Sequence, residues 1–108
     1  MTREIPDGLA IEQIWVVEAT YAADAAERRP AVRAEHLAHI GELRAAGTIV
    51  EAGAYTDMSA SLMLLRAPSE ETALAVARAD VYFRSGGWTG FRVRAFGRVA
   101  RLDELTSD

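Results

Sequence analysis

Cysteine is absent from the 108 residues, which excludes a disulfide scaffold, a thiol nucleophile and a thiolate metal site. Lysine is absent as well, so apart from two histidines all basic charge is arginine. A dense basic field is also missing. The net charge is −4, whereas a nucleic-acid or anionic-membrane surface needs concentrated positive charge. No G-x-G-x-x-G or phosphate-loop pattern occurs, and Gly86-Gly87 reads as a turn before the last strand, so no organic cofactor is expected. The stretch Met1 to Gly8 has charges on both sides of Pro6 and no apolar core. It reads as neither a signal peptide nor a spanning segment, and a cytoplasmic location is the expectation.

What is present is the balance of a folded, soluble protein: 50% apolar and 26% charged residues. The length suits a single domain over residues 1–108, with a core about 11–101. It lies near the size at which an extra interface is a useful source of stability. No internal repeat or low-complexity linker interrupts it.

Gln13 to Ala19 is an almost unbroken apolar run of strand length with β-branched residues. From about Ala25 to Ala46 the chain is rich in Ala, Leu, Arg and Glu, and Gly47 stands where a helix stop is expected. Pro30 fits a first turn, which places the ordered start near Glu27 to Arg29. Thr48 to Tyr55 and Ser61 to Arg66 read as two strands joined by the polar turn Thr56 to Ser59. Pro68 and Ser69 open a second helix that carries Glu70 and Glu71 in its first turn and runs to about Ala79. The last strand covers roughly Thr89 to Ala100, where Phe91, Val93, Ala95 and Val99 alternate with Arg92, Arg94 and Arg98. The tail after Arg101 reads as loose.

The order β-α-β-β-α-β predicts an α+β, ferredoxin-like fold, with two helices on one face of a four-stranded antiparallel sheet. Because Gln13 to Ala19 and Ser61 to Leu65 are apolar at consecutive positions, both sheet faces are expected to be dry. A homodimer packed sheet to sheet, with a ligand-sized interior, would satisfy that.

The first helix carries the most informative chemistry. At about 100° per residue, Val32, Ile40 and Leu43 share one arc of roughly 80°. His36 lies inside that arc, His39 at its edge, and Arg29 and Arg33 on the same side. This is more polarity than a plain core helix needs, since each buried polar group requires a partner. His36 is either a hydrogen-bonded core residue or an acid/base, while His39 suits a partly solvated position or a surface ion pair. Asp80 closes the second helix, where the dipole disfavours a carboxylate. It either caps the turn Val81 to Phe83 or holds an imidazole in one tautomer so that the other nitrogen moves a proton. A metal site is the weaker option, because His36 and His39 lack a third ligand at suitable spacing.

Arg33-Ala34-Glu35-His36-Leu37, then Leu43, Gly47, Ile49 and Glu51-Ala52-Gly53, resembles the R-x-x-H-L … G … AG pattern of YCII-like proteins. Ser61-Leu62 and Asp80-Val81-Tyr82 resemble that family's G-S-L and D-P-Y segments. Ala54, Ala60 and Val81 depart from it, standing where the family has Pro, Gly and Pro. The resemblance spans nearly the whole chain. It implies a dimeric α+β barrel with a catalytic His36-Asp80 pair and acid–base work on a small cyclic or aromatic molecule, as in lactone isomerases or dehydrochlorinases. Beside that pair, Arg33, Ser61 and Tyr82 are the candidate substrate-binding residues, with Arg33 or Ser61 expected to hold an anionic or carbonyl oxygen. The leading expectation is therefore a lyase or isomerase whose partners are a second copy and a small-molecule ligand, with no nucleic acid and no membrane. The alternatives are a non-catalytic ligand-binding dimer and a cofactor-independent monooxygenase-like barrel.

Overall fold

A computed structural model describes residues 5–105, so the reading of the N-terminal segment falls partly outside the described residues. The chain runs β1 (Leu9–Tyr21), α1 (Ala25–Ala45), β2 (Ile49–Ala54), β3 (Ser61–Leu65), α2 (Glu70–Arg78), α3 (Val81–Arg84), β4 (Trp88–Arg101) and α4 (Leu102–Leu105). The four strands form one antiparallel sheet in the order β2-β3-β1-β4. This is the ferredoxin-like arrangement expected from the sequence, with two additions, the short helices α3 and α4. Among the described residues no helix is long and apolar enough to cross a membrane.

Helix α1 begins earlier than Pro30 suggested. The Asp24 carbonyl accepts the N–H groups of Glu27 and Arg28 at 3.0 and 3.1 Å, and its carboxylate takes Arg28 Nε at 2.8 Å. A formed turn therefore precedes Pro30, and the proline both forgoes the bond its missing N–H would have made to the Ala26 carbonyl and crowds that carbonyl with its ring. The helix stops at Gly47 as expected. Gly47 has φ +82°, its N–H reaches the Arg44 carbonyl at 3.0 Å, and the Thr48 N–H reaches that of Leu43 at 2.9 Å, which is the Schellman closure. Ser69 caps α2, its hydroxyl accepting the Thr72 N–H at 3.1 Å.

The helices cover the face of the sheet that carries Val17, Ala19, Met63 and Leu65, all buried with Ile49, Ala73, Ala77 and Trp88. Val32, Ile40 and Leu43 of α1, and Phe91 and Val93 of β4, pack onto this core as their periodicities predicted. Trp15 joins the same side, and its indole N–H donates to the Ala67 carbonyl at 3.0 Å.

The expectation of two dry faces is corrected. On the face away from the helices, Val16 of β1 and Leu62 and Leu64 of β3 are half-buried, but β4 sets Arg94 opposite Val16 and Arg92 opposite Glu18. That face is apolar in its middle and charged along β4. β1 and β4 also run longer than expected, and their ends, Leu9 to Gln13 against Gly97 to Arg101, pair beyond the reach of β3. The ribbon is anchored by Glu12, which accepts Arg66 Nε at 2.6 Å and Arg98 Nη1 at 3.0 Å. The tail is not loose up to Leu105. Leu102 N–H donates to the Gly8 carbonyl at 2.9 Å and Glu104 pairs with Arg98, so α4 folds back on the ribbon.

Candidate active site

The end of α2 and the inward stripe of α1 meet at Asp80 and His36. Asp80 follows the C-cap Ala79 and is itself the N-cap of α3, with Oδ1 accepting the Tyr82 N–H at 2.8 Å. The same carboxylate accepts the His36 imidazole at Nδ1, 2.8 Å to Oδ1 and 2.9 Å to Oδ2. The two readings of Asp80, cap and histidine partner, are therefore both true of one side chain. Asp80 is 1% exposed. A buried carboxylate is costly unless its oxygens find donors, and these contacts supply them.

Because Asp80 occupies Nδ1, the neutral imidazole carries its proton there and leaves Nε2 as the acceptor. The ring is fixed on its other surfaces too. Tyr82 stacks on it with centroids 3.8 Å apart and planes 7° from parallel. Trp88 meets both rings edge-on, 5.6 Å from each centroid. The imidazole thus has one direction left, into a cavity of about 250 Å³.

That cavity lies between α1 and the β2–β3 hairpin. It is lined by Arg29, Arg33, His36, Leu37 and Ile40 from α1, Ala52 to Ala54 from β2, Ser61 and Met63 from β3, and Tyr21, Met58 and Tyr82. His36, Arg33, Ser61 and Tyr82, all expected from the sequence, therefore share one cavity, with Asp80 behind the imidazole. Arg33 is exposed and stands at the mouth. Ser61 is buried, and its hydroxyl donates to the Gly53 carbonyl at 3.1 Å, which leaves its lone pairs for a ligand donor. Burial pushes the Tyr82 phenol above its ordinary pKa, and the charges of Arg33 and Arg29 oppose this. The phenol stays protonated at neutral pH and is available as a donor.

His39 goes elsewhere. It sits in a separate groove with Glu35, Glu42, Ala79 and Arg84, its Nδ1 3.9 Å from Glu42, which matches the surface-pair reading. The sequence reading did not assign Tyr21, Met58 or Trp88 to the site. Tyr21 had a signal, because Val17, Ala19 and Tyr21 keep the period of two that faces the helices. Met58 adopts φ +62° in the hairpin turn, a conformation its sequence does not announce, and Trp88 reaches His36 only through the tertiary fold.

A model of the YCII-related domain matches residues 14–97. None of the curated proteins matches the chain. Among solved structures, it is similar to 5-chloro-2-hydroxyhydroquinone dehydrochlorinase (TftG) from Burkholderia phenoliruptrix AC1100 in complex with 2,5-dihydroxybenzoquinone. The TM-score is 0.66 at 18% identity, over 77% of this chain and 92% of that one. At that identity the likeness establishes a shared fold.

Proposed function

This chain belongs to the family of the YCII-related domain, and we propose that it is an acid–base enzyme of lyase or isomerase type, dehydrochlorination included, acting on a small cyclic or aromatic molecule. The observation that carries this reading is the 2.8 Å contact between His36 Nδ1 and Asp80, which holds the imidazole with Nε2 toward the cavity. In the proposed reaction Nε2 takes a proton from a substrate O–H or C–H. Asp80 stabilises the imidazolium that results, and the Tyr82 ring lies against its face. An isomerisation returns the proton at another substrate atom, whereas an elimination releases it as the leaving anion departs. Arg33 and Tyr82 are the groups we assign to donating to the substrate's oxygens, and Ser61, whose proton goes to the Gly53 carbonyl, to accepting from a substrate hydroxyl. The similar fold of a dehydrochlorinase bound to a one-ring ligand supports the size of molecule proposed.

The proposal extends to a cytoplasmic homodimer. Val16, Leu62 and Leu64 are half-buried and Tyr55 is exposed on the helix-free face, and a second copy laid against it would remove apolar surface from water.

The test is a screen of small cyclic acids, lactones and phenols for turnover. His36→Ala, folded as the parent, should lose activity by roughly 100-fold or more. Undiminished turnover in that variant rules out His36 as the acid/base. Binding without turnover in the parent across the screen favours a ligand-binding module.

A further inference from the structure

Six of the eleven described arginines are engaged by carboxylates. Arg28, Arg44, Arg66, Arg84, Arg98 and Arg101 each lie within ion-pair distance of an aspartate or glutamate. Among the described residues Arg29, Arg33, Arg78, Arg92 and Arg94 have no carboxylate partner, and of these Arg29 and Arg33 line the cavity beside His36. The Tyr21 ring holds Arg29 in place, with its guanidinium carbon 5.1 Å from the ring centroid. Its Nη1 meets only the Met58 sulfur, at 3.9 Å. Its Nε is buried with no hydrogen-bond partner, an expensive arrangement for a cationic donor unless something in the cavity accepts from it.

The cavity's lining contains no Asp or Glu, and the carboxylate behind it, Asp80, is already engaged by His36 and the Tyr82 N–H. Two guanidinium charges against one carboxylate leave the site net positive even with His36 neutral. The volume of about 250 Å³ is below the about 300–1,000 Å³ typical of sites for drug-sized ligands, which leaves room for one ring. Leu37, Ile40 and Met63 make part of the wall apolar.

We propose that the cavity recognises a small monocyclic carboxylate, with the carboxylate group on Arg29 and Arg33 and the ring beside Tyr82 within reach of His36 Nε2. A planar two-oxygen anion matches the fork of donors that a guanidinium presents. A phosphate ester would bring a further charge and a third oxygen toward apolar walls. The inference names the substrate class of the acid–base site and rests on that reading, but recognition of the anion requires no turnover.

Calorimetry and NMR titration of the full chain with benzoate, and with benzamide as its uncharged isostere, test it. Benzoate should bind more tightly by roughly 10- to 100-fold and shift the His36 and Tyr82 ring signals. Arg29→Met should abolish the preference and Arg29→Lys should keep part of it, while His36→Ala should keep it in full. Equal affinities for the two probes in the parent overturn the proposal, as does an undiminished preference in an Arg29→Met protein that unfolds like the parent. Inorganic phosphate displacing benzoate as readily as salicylate does would overturn the carboxylate specificity. An intact charge preference beside a His36→Ala protein with full turnover would sink the acid–base reading and leave this one standing.

Discussion

The imidazole of His36 lies face to face with the phenol ring of Tyr82, centroids 3.8 Å apart and planes within 7° of parallel. An aromatic pair of this kind contributes about 0.5–1.5 kcal/mol beyond the area it buries. Tyr82→Phe keeps the ring and removes the hydroxyl, so its stability to urea should fall by less than about 1 kcal/mol, provided only the phenol's donor role is lost. Tyr82→Leu removes the stack and should cost about 1–3 kcal/mol. If the hydroxyl holds substrate, the phenylalanine variant should lose substrate affinity with its fold intact.

Asp80 serves both α3 and His36, and two substitutions separate these tasks. Asparagine is as good an N-cap as aspartate, so Asp80→Asn should keep α3 while removing the charge beside the imidazole. Asp80→Ala removes both and should be the less stable by about 0.5–2 kcal/mol. In the parent, nitrogen NMR of the His36 ring should report the Nδ1–H tautomer. In Asp80→Asn the amide offers both a donor and an acceptor, so a mixture of tautomers is expected, together with loss of turnover. A single unchanged tautomer and full activity would show that the carboxylate is not what orients the ring.

Each of these two residues was singled out by a local clue, whereas their pairing into one site was what the family resemblance implied. His36 sits inside the apolar arc of α1, and Asp80 stands at a helix end that disfavours its charge. Arg29 lay on the same arc, but nothing local said that it would lack a carboxylate partner. The helix-free face was misread for a different reason. Alternation within β4 separates Arg92 and Arg94 from Phe91 and Val93, but it does not say which residues of β1 stand opposite. The alternation already gave β4 one wetter face, and the register, with Arg94 against Val16 and Arg92 against Glu18, sets that charge beside the residues that make the face apolar in β1 and β3. The early start of α1 depends on Asp24, whose carbonyl builds the turn that Pro30 then follows.

Glu12 predicts an acid-sensitive step. Hydrogen bonds from Arg66, with the charges of Arg66 and Arg98, hold its pKa below the ordinary 4.5, and the effect of burial opposes them only in part. For a depressed carboxylate the stabilisation is present above the unfolded value and is lost as pH falls through the folded one. The urea midpoint of the parent should therefore decline as pH drops below about 4.5. Glu12→Gln should start lower at neutral pH and decline less, so that the two curves converge toward the acid end. Parallel curves would mean that Glu12 contributes nothing through its charge.

Trp15 and Val16 are neighbours on β1 that point to opposite sides of the sheet, and they separate folding from assembly. Trp15 packs against the helix-side core, and its indole N–H is satisfied by the Ala67 carbonyl. Trp15→Asp would bury an unpaired carboxylate and leave a large void, so it should unfold the chain, with a loss of several kcal/mol. Val16 stands on the helix-free face opposite Arg94, where a carboxylate in a lone protomer gains an arginine for a neighbour. In a homodimer the same carboxylate would be pressed against the apolar middle of the second sheet. Val16→Asp should therefore convert a dimer into a folded monomer, seen by sedimentation at micromolar concentration with the helical signal unchanged. A parent protein that already sediments as a monomer, or a Val16→Asp protein that remains a dimer, would place the interface away from this face.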